Sequence, residues 1–308
     1  MPRVMVESVS GSSPPVSMTV KIAIVGGSGK MGRWLARFLK KEGKEVTLIG
    51  RNQARLAQAN RGLNVAATTD IAAISEADAV IISVPIDHFE PVVANLSPYT
   101  HRDQIILDIT SIKVAPVAAM HKYIQRGIIL GTHPVFGPGA RGVAGQNFVL
   151  TPTSKPERTL AEKVKGFLEA RGAIVSLMTP QEHDEMMAVI LGLAHFIAIV
   201  SADTLLKLKP PKQMAAVSGI TYKVLMTLVE SVLSEDPELY ASLQMNLPGL
   251  TRIEELFQES GQAWADLVKK GERQEFISRM KALKGRLEQE NPDFGRAYEN
   301  LYKIAEGL

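Results

Sequence analysis

Two hydrophobic rhythms divide the chain. From Val20 to about Thr179, short apolar runs recur: VKIAIVGG, KEVTLIG, LNVAAT, ADAVIISVP, QIILDIT, GIILGTHP and NFVLTP. Runs this short predict strands, and the near-continuous apolarity of several predicts burial on both faces. Between them lie amphipathic segments such as KMGRWLARFLKKEG, where Met31, Leu35, Phe38 and Leu39 recur on one helical face. Strands alternating with helices predict an α/β fold with a doubly wound, mostly parallel sheet.

After Thr179 the period lengthens. PQEHDEMMAVILGLAHFIAIVSADTLLKL, PKQMAAVSGITYKVLMTLVESVLSEDPELY and two charged amphipathic segments predict long helices and no strand. The expected organisation is a doubly wound α/β domain over residues 18–179 and an all-helical domain over residues 180–308. The helices of the second domain are expected to form a homodimer interface. Residues 1–17, MPRVMVESVSGSSPPVS, lack the apolar core of a signal peptide and are expected to form a disordered extension. The window MMAVILGLAHFIAIVSADTLL, about 21 residues, is long enough for a bilayer, but its His, Ser and Asp favour a buried helix of a soluble protein. No membrane partner is expected.

Composition narrows the chemistry. Hydrophobic residues make up 45% and charged residues 22% of the 308, the balance of a soluble globular protein. A net charge of +3 without basic, aromatic-interleaved patches argues against nucleic acid and is compatible with an acidic small-molecule substrate. The absence of cysteine excludes disulfides, thiolate metal sites and cysteine nucleophiles, and agrees with the expected cytoplasmic location. No metal site is expected.

KIAIVGGSGKMG places a strand, then Gly27, Gly29 and Gly32 in G-x-G-x-x-G register, then a helix, with EVTLIG following at βαβ distance. This context makes a Rossmann-type dinucleotide site of an otherwise weak motif. Gly27 is expected to make the turn, Gly29 to admit a pyrophosphate and Gly32 to let helix and strand pack. Ser28, Lys30 and Met31 complete the loop at the helix N-terminus, where free amides and the dipole favour an anion. An NAD site places a carboxylate at the end of the second strand. LIGRN instead offers Arg51 and Asn52, and a guanidinium pairs with a 2′-phosphate. NADP is the expected cofactor, with NAD as the alternative. Ser83, Val84 and Pro85 end the fourth strand and should line the cofactor at the switch point.

Ser111 and Lys113 follow the fifth strand in LDITSIK. His133 follows the sixth in LGTHPVFGPG, where the strand is expected to end at Gly131 and Pro134, Gly137, Pro138 and Gly139 to fix a rigid loop. In a parallel sheet these ends share one edge, which brings a histidine and a hydroxyl to the nicotinamide.

GxGxMG, DITSIK and THPVFGPG, followed by EHDEMMAVILGLAHF at the head of the helical half, resemble prephenate dehydrogenase from about Lys21 to the C-terminus. The resemblance implies a nucleotide-binding domain followed by a helical dimerisation domain. It also implies oxidative decarboxylation of a dianion, prephenate, to 4-hydroxyphenylpyruvate with hydride transfer to the nicotinamide. By the same resemblance, His133 takes the proton of the substrate 4-hydroxyl, Ser111 orients His133, and His195 helps hold the substrate. The His183–Asp184 pair is implied to be structural or gating. The family's carboxylate-binding arginine falls near Ser231 and is absent; Lys113, Arg141, Lys223 and Arg252 are the substitutes, with Lys113 and Arg252 taken as substrate ligands. That absence leaves arogenate open as the substrate. An NADP-dependent deazaflavin or imine reductase explains the glycine turn but not Ser111 with His133. A non-catalytic NADP-binding redox sensor is the remaining alternative.

Overall fold

The computed structural model describes residues 19–208 and 210–307; the extension expected over residues 1–17 lies outside them. Eight strands form one sheet: β1 Lys21–Val25, β2 Glu45–Ile49, β3 Ala66–Thr68, β4 Ala79–Ile82, β5 Ile105–Asp108, β6 Ile128–Pro134, β7 Asn147–Thr151 and β8 Ile174–Leu177. Their order is β3-β2-β1-β4-β5-β6-β7-β8, parallel throughout except where β6 meets β7. The chain reaches β7 through residues 135–146 without a helix, and lacking a crossover it returns antiparallel. The seven expected strands are all present. The eighth was not read from the sequence, because AIVSL is short and half-exposed at the sheet edge.

Helices α1 Lys30–Lys41, α2 Gln53–Asn60, α3 Phe89–Leu96, α4 Val114–Tyr123 and α5 Lys155–Glu169 cover the sheet. Leu35 and Leu39 of α1 sink into one core together with Trp34, while α3 and α4 close the opposite face around Val93, Leu96, Val117 and Met120. Burial on both faces accounts for the unbroken apolarity of β1 and β4. The strand order reverses between β1 and β4, which places a crevice at their carboxyl ends.

Thr179 then caps α6, Pro180–Met187, with a capping box to Glu182. A π-helical segment, Ala188–Leu193, leads into α7, Ala194–Leu206, so that residues 180–206 form one rod. The expected second long helix is three: α8 Pro211–Ala215, α9 Ile220–Leu233 and α10 Pro237–Asn246. Gly219 caps α9 in an extended conformation, and Asp236 caps α10 ahead of Pro237, so each break has a local cause. The C-terminal part likewise forms three helices, α11 Leu250–Lys270, α12 Arg273–Glu290 and α13 Ala297–Glu306.

The rod is not the buried helix that its apolarity predicts. Met186, Val189, Ile190 and Leu206 are each about half exposed or more in the single chain. The helical half meets the sheet through a third core, in which Ile112 packs with Met187, Ala188, Leu243, Leu247 and Leu250.

Candidate active site

The glycine turn is built by steric exclusion. Gly26, at φ +84°, makes the left-handed turn that was expected of Gly27, and a Cβ on it would stand 2.1 Å from the Ser83 carbonyl oxygen. Gly27 keeps an ordinary φ but packs so tightly that a Cβ would meet Leu48 at 2.8 Å. A Cβ on Gly32 would collide with the Gly26 oxygen at 2.7 Å, whereas one on Gly29 would meet only that oxygen, at 3.3 Å. Gly29 therefore faces open space above the N-terminus of α1, where no side chain caps the helix and no acidic residue occupies the first turn. Free amides, a positive dipole end and a cradle that any Cβ would fill are what a pyrophosphate requires.

Around this cradle, Ser28 and Met31 are half-buried and Ser83 and Val84 border Gly26 from the end of β4, with Pro85 exposed beside them. Arg51 is exposed at the end of β2 and makes no hydrogen bond or ion pair among the described residues. The side chain of Asn52 caps α2 by accepting from the Arg55 amide, so its oxygen has an assigned partner. Lys30 pairs with Glu235 at 2.7 Å, joining the head of α1 to the helical half.

Val25, Ile82, Asp108 and Gly131 form one cross-strand row at the carboxyl edge, and His133 lies two residues past it on β6. The loop expected to carry His133 does not begin there: β6 continues through Pro134, because His133 pairs with Val149 of β7. His133 is therefore a buried strand residue, 4% exposed. Its Nδ1 lies 2.8 Å from Nε2 of His183, and the rings meet edge to face. His183 Nδ1 in turn lies 2.7 Å from Asp184 Oδ1. Asp184 also accepts the backbone N–H groups of Lys113 at 2.6 Å and Val114 at 2.9 Å, at the head of α4. Burial, then the neighbouring His183 and Lys113, hold the His133 imidazole well below its ordinary pKa of 6.5.

Three expectations change. Ser111, half-buried after β5, makes no hydrogen bond to His133; His183 takes that place. Lys113 is not a substrate cation, since its ammonium is fully buried, paired with Asp108 and donating to the Thr132 carbonyl at 2.7 Å. Burial lowers its pKa, and Asp108 opposes that shift. Gly131 makes room for it, as a Cβ there would already crowd Thr151 and Val117. Arg252 is exposed on α11 and engaged by Glu255 and Glu259. Arg141 and Lys223 are exposed.

His195 sits just past the π-helical segment, which resets the helix register. Its ring meets Tyr240 edge to face at 4.8 Å, and burial lowers its pKa. Its Nδ1 is enclosed without a hydrogen-bond partner among the described residues. The structure brings His195 and Tyr240 together and does not join either to His133.

A glycine cradle at the switch point of a mostly parallel sheet, followed by a helical half, defines a Rossmann-type dinucleotide-binding protein of two parts. Residues 35–177 match the family model for the prephenate dehydrogenase nucleotide-binding domain, and residues 179–282 match that for the prephenate dehydrogenase dimerization domain. The chain belongs to the prephenate dehydrogenase family. It is 33% identical to a probable arogenate/prephenate dehydrogenase of Methanocaldococcus jannaschii over 84% of this chain and 59% of that protein. It is 29% identical to the T-protein of Haemophilus influenzae over 83% of this chain and 64% of that protein. The chain thus spans about three fifths of the length of these relatives. The fold superposes on prephenate dehydrogenase from A. aeolicus, solved with hydroxyphenyl propionate and NAD+, with TM-score 0.73 and 24% identity over 90% of this chain and 100% of that one.

Proposed function

We propose that the chain oxidises prephenate to 4-hydroxyphenylpyruvate with NADP, as a cytoplasmic homodimer whose two domains divide at Thr179. The observation that carries the reaction is the open ring nitrogen of His133 at the sheet edge that the glycine cradle shares. Nδ1 is engaged by His183, whereas among the described residues Nε2 has no hydrogen-bond partner and is not one of the enclosed, unpartnered polar atoms. A neutral imidazole with one free nitrogen is a general base, worth roughly 100- to 10,000-fold where such groups are measured. His133 takes the proton of the 4-hydroxyl as that carbon gives up its hydride and becomes a carbonyl carbon. The bond to the ring carboxylate then breaks with loss of carbon dioxide, its electron pair aromatises the ring, and the phenolate oxygen recovers the proton. The bound nicotinamide supplies the hydride acceptor.

Gly27, Ser28, Gly29, Lys30, Met31 and Gly32 would hold the pyrophosphate, with Ser83, Val84 and Pro85 beside the nicotinamide. Arg51, exposed and unengaged, would take the 2′-phosphate, which favours NADP over NAD. Ser111 would border the nicotinamide, and His195 with Tyr240 would hold the substrate from the helical half. The exposed Met186, Val189 and Ile190 support pairing of two copies through that half. The test is an absorbance assay at the reduced-nicotinamide wavelength, crossing NAD and NADP with prephenate and arogenate. Growth of the signal with NADP and prephenate is expected. No growth with either substrate overturns the reading, and a faster rate with arogenate reassigns the substrate.

A further inference from the structure

We propose that His183 is a positioning residue that fixes His133 in its Nδ1–H tautomer, with Asp184 holding His183 in the orientation this requires. The inference rests on His133 being the base, and its structural part can be measured without any substrate.

The assignment follows from counting donors. Two backbone N–H groups, which can only donate, point at Asp184: Lys113 to Oδ1 and Val114 to Oδ2. Asp184 thus acts as an acceptor on both oxygens, and the third group on it, His183 Nδ1, supplies a proton. In a neutral imidazole with Nδ1 protonated, Nε2 is a lone pair. His183 Nε2 then accepts at 2.8 Å, and the donor is Nδ1–H of His133. That leaves His133 Nε2 unprotonated, the form a base requires.

The opposite arrangement would place a second proton on His183, turn the hydrogen bond round and put hydrogen on His133 Nε2, which could then accept nothing. That arrangement and the one proposed differ in which nitrogen of His133 carries the proton, and both keep His183 Nδ1 donating to Asp184 at 2.7 Å. Lys113, Asp108 and Asp184 are the charged groups around the pair. When His133 takes a proton at Nε2, its Nδ1–H points at a neighbour backed by a carboxylate. That is the supporting arrangement of a hydrolase triad, lengthened by one imidazole.

The relay also crosses the two halves. His133 belongs to the sheet, while His183 and Asp184 belong to α6, the first helix after it. Asp184 supplies α4 with the N-terminal acceptor that Lys113, as N-cap, lacks. Displacing α6 from the sheet would therefore release the base from its tautomer.

The test is long-range 1H–15N correlation on the full chain with 15N-labelled histidine and bound NADP, near neutral pH, with His133→Asn identifying the signals. The expected result is a protonated Nδ1 and a bare Nε2 on His133. A protonated Nε2 overturns the proposal whatever the substrate proves to be. Kinetics supply the second arm. His183→Leu should lower kcat at least tenfold with KM changed less than threefold, and His183→Gln, whose amide oxygen can still accept, should recover part of the loss. Full kcat in His183→Leu overturns the proposal. A wild type inactive on both prephenate and arogenate, yet showing the bare Nε2, refutes the substrate reading and upholds the tautomer.

Discussion

The ammonium of Lys113 and the carboxylate of Asp108 pair inside the core, both side chains without exposed surface, beside the residues of β6 that lead into His133. Thr110 and the Thr132 carbonyl complete the cluster. Removing one partner strands the other charge, which costs about 3–5 kcal/mol in buried pairs. Lys113→Met is expected to lose stability of that order, read by urea unfolding. A loss below about 1 kcal/mol would show that the pair does not hold the site.

Gly29 and Gly32 should separate binding from folding. A methyl at Gly29 meets one oxygen at 3.3 Å, so Gly29→Ala should keep its melting temperature and lose dinucleotide affinity by at least about tenfold. A methyl at Gly32 strikes backbone at 2.7 Å, so Gly32→Ala should lose both. Calorimetric titration with NADP, beside thermal melts, reads the two effects.

Arg51 is expected to discriminate between the nucleotides. A charge-assisted hydrogen bond contributes about 1.5–3 kcal/mol, so Arg51→Ala should weaken NADP roughly 10- to 100-fold and leave NAD within about twofold. Equal losses for both nucleotides would assign Arg51 to the adenine or to the loop.

His133→Asn should lower turnover by roughly 100- to 10,000-fold while the affinity for NADP stays within about twofold. Stopped-flow reduction with saturating nucleotide is the measurement. Unchanged turnover would make His133 a spectator.

The depressed pKa of His133 fixes the sign of its contribution to acid stability. Unfolding restores a value near 6.5, so below that pH the unfolded chain binds a proton that the buried ring refuses. Stability from this group is fully present above pH 6.5 and falls as the solution is acidified; His195, lowered by burial, acts in the same direction. Melting temperature should fall between pH 7 and pH 5, and less steeply in His133→Asn. Identical slopes in the two proteins would remove His133 from the effect.

The chain's local patterns already state much of this. Seven strands, the glycine turn and the change of rhythm at Thr179 are visible because strand period, turn residues and helix caps act over a few neighbours. Gly219 and the Asp236–Pro237 step likewise carry the breaks of the helical half, where apolar periodicity alone suggests one long helix. Local pattern also names His133, since strand ends converge in a parallel sheet.

What it could not supply are the partners. His133 and His183 stand 50 positions apart, and Lys113 and Asp184 stand 71 apart. No periodicity links residues so distant; they meet because α6 docks against the carboxyl edge through the core of Ile112, Met187 and Leu250. Whether a lysine is a surface cation or a buried counterion depends on the volume left by Gly131 and on Asp108 opposite, both set by packing. The sequence by itself determined the elements and the residue types available for chemistry. Tertiary packing decided which nitrogen of His133 stays open, because burial and long-range hydrogen bonds, unlike helix and strand periods, are fixed only when the two halves close on each other.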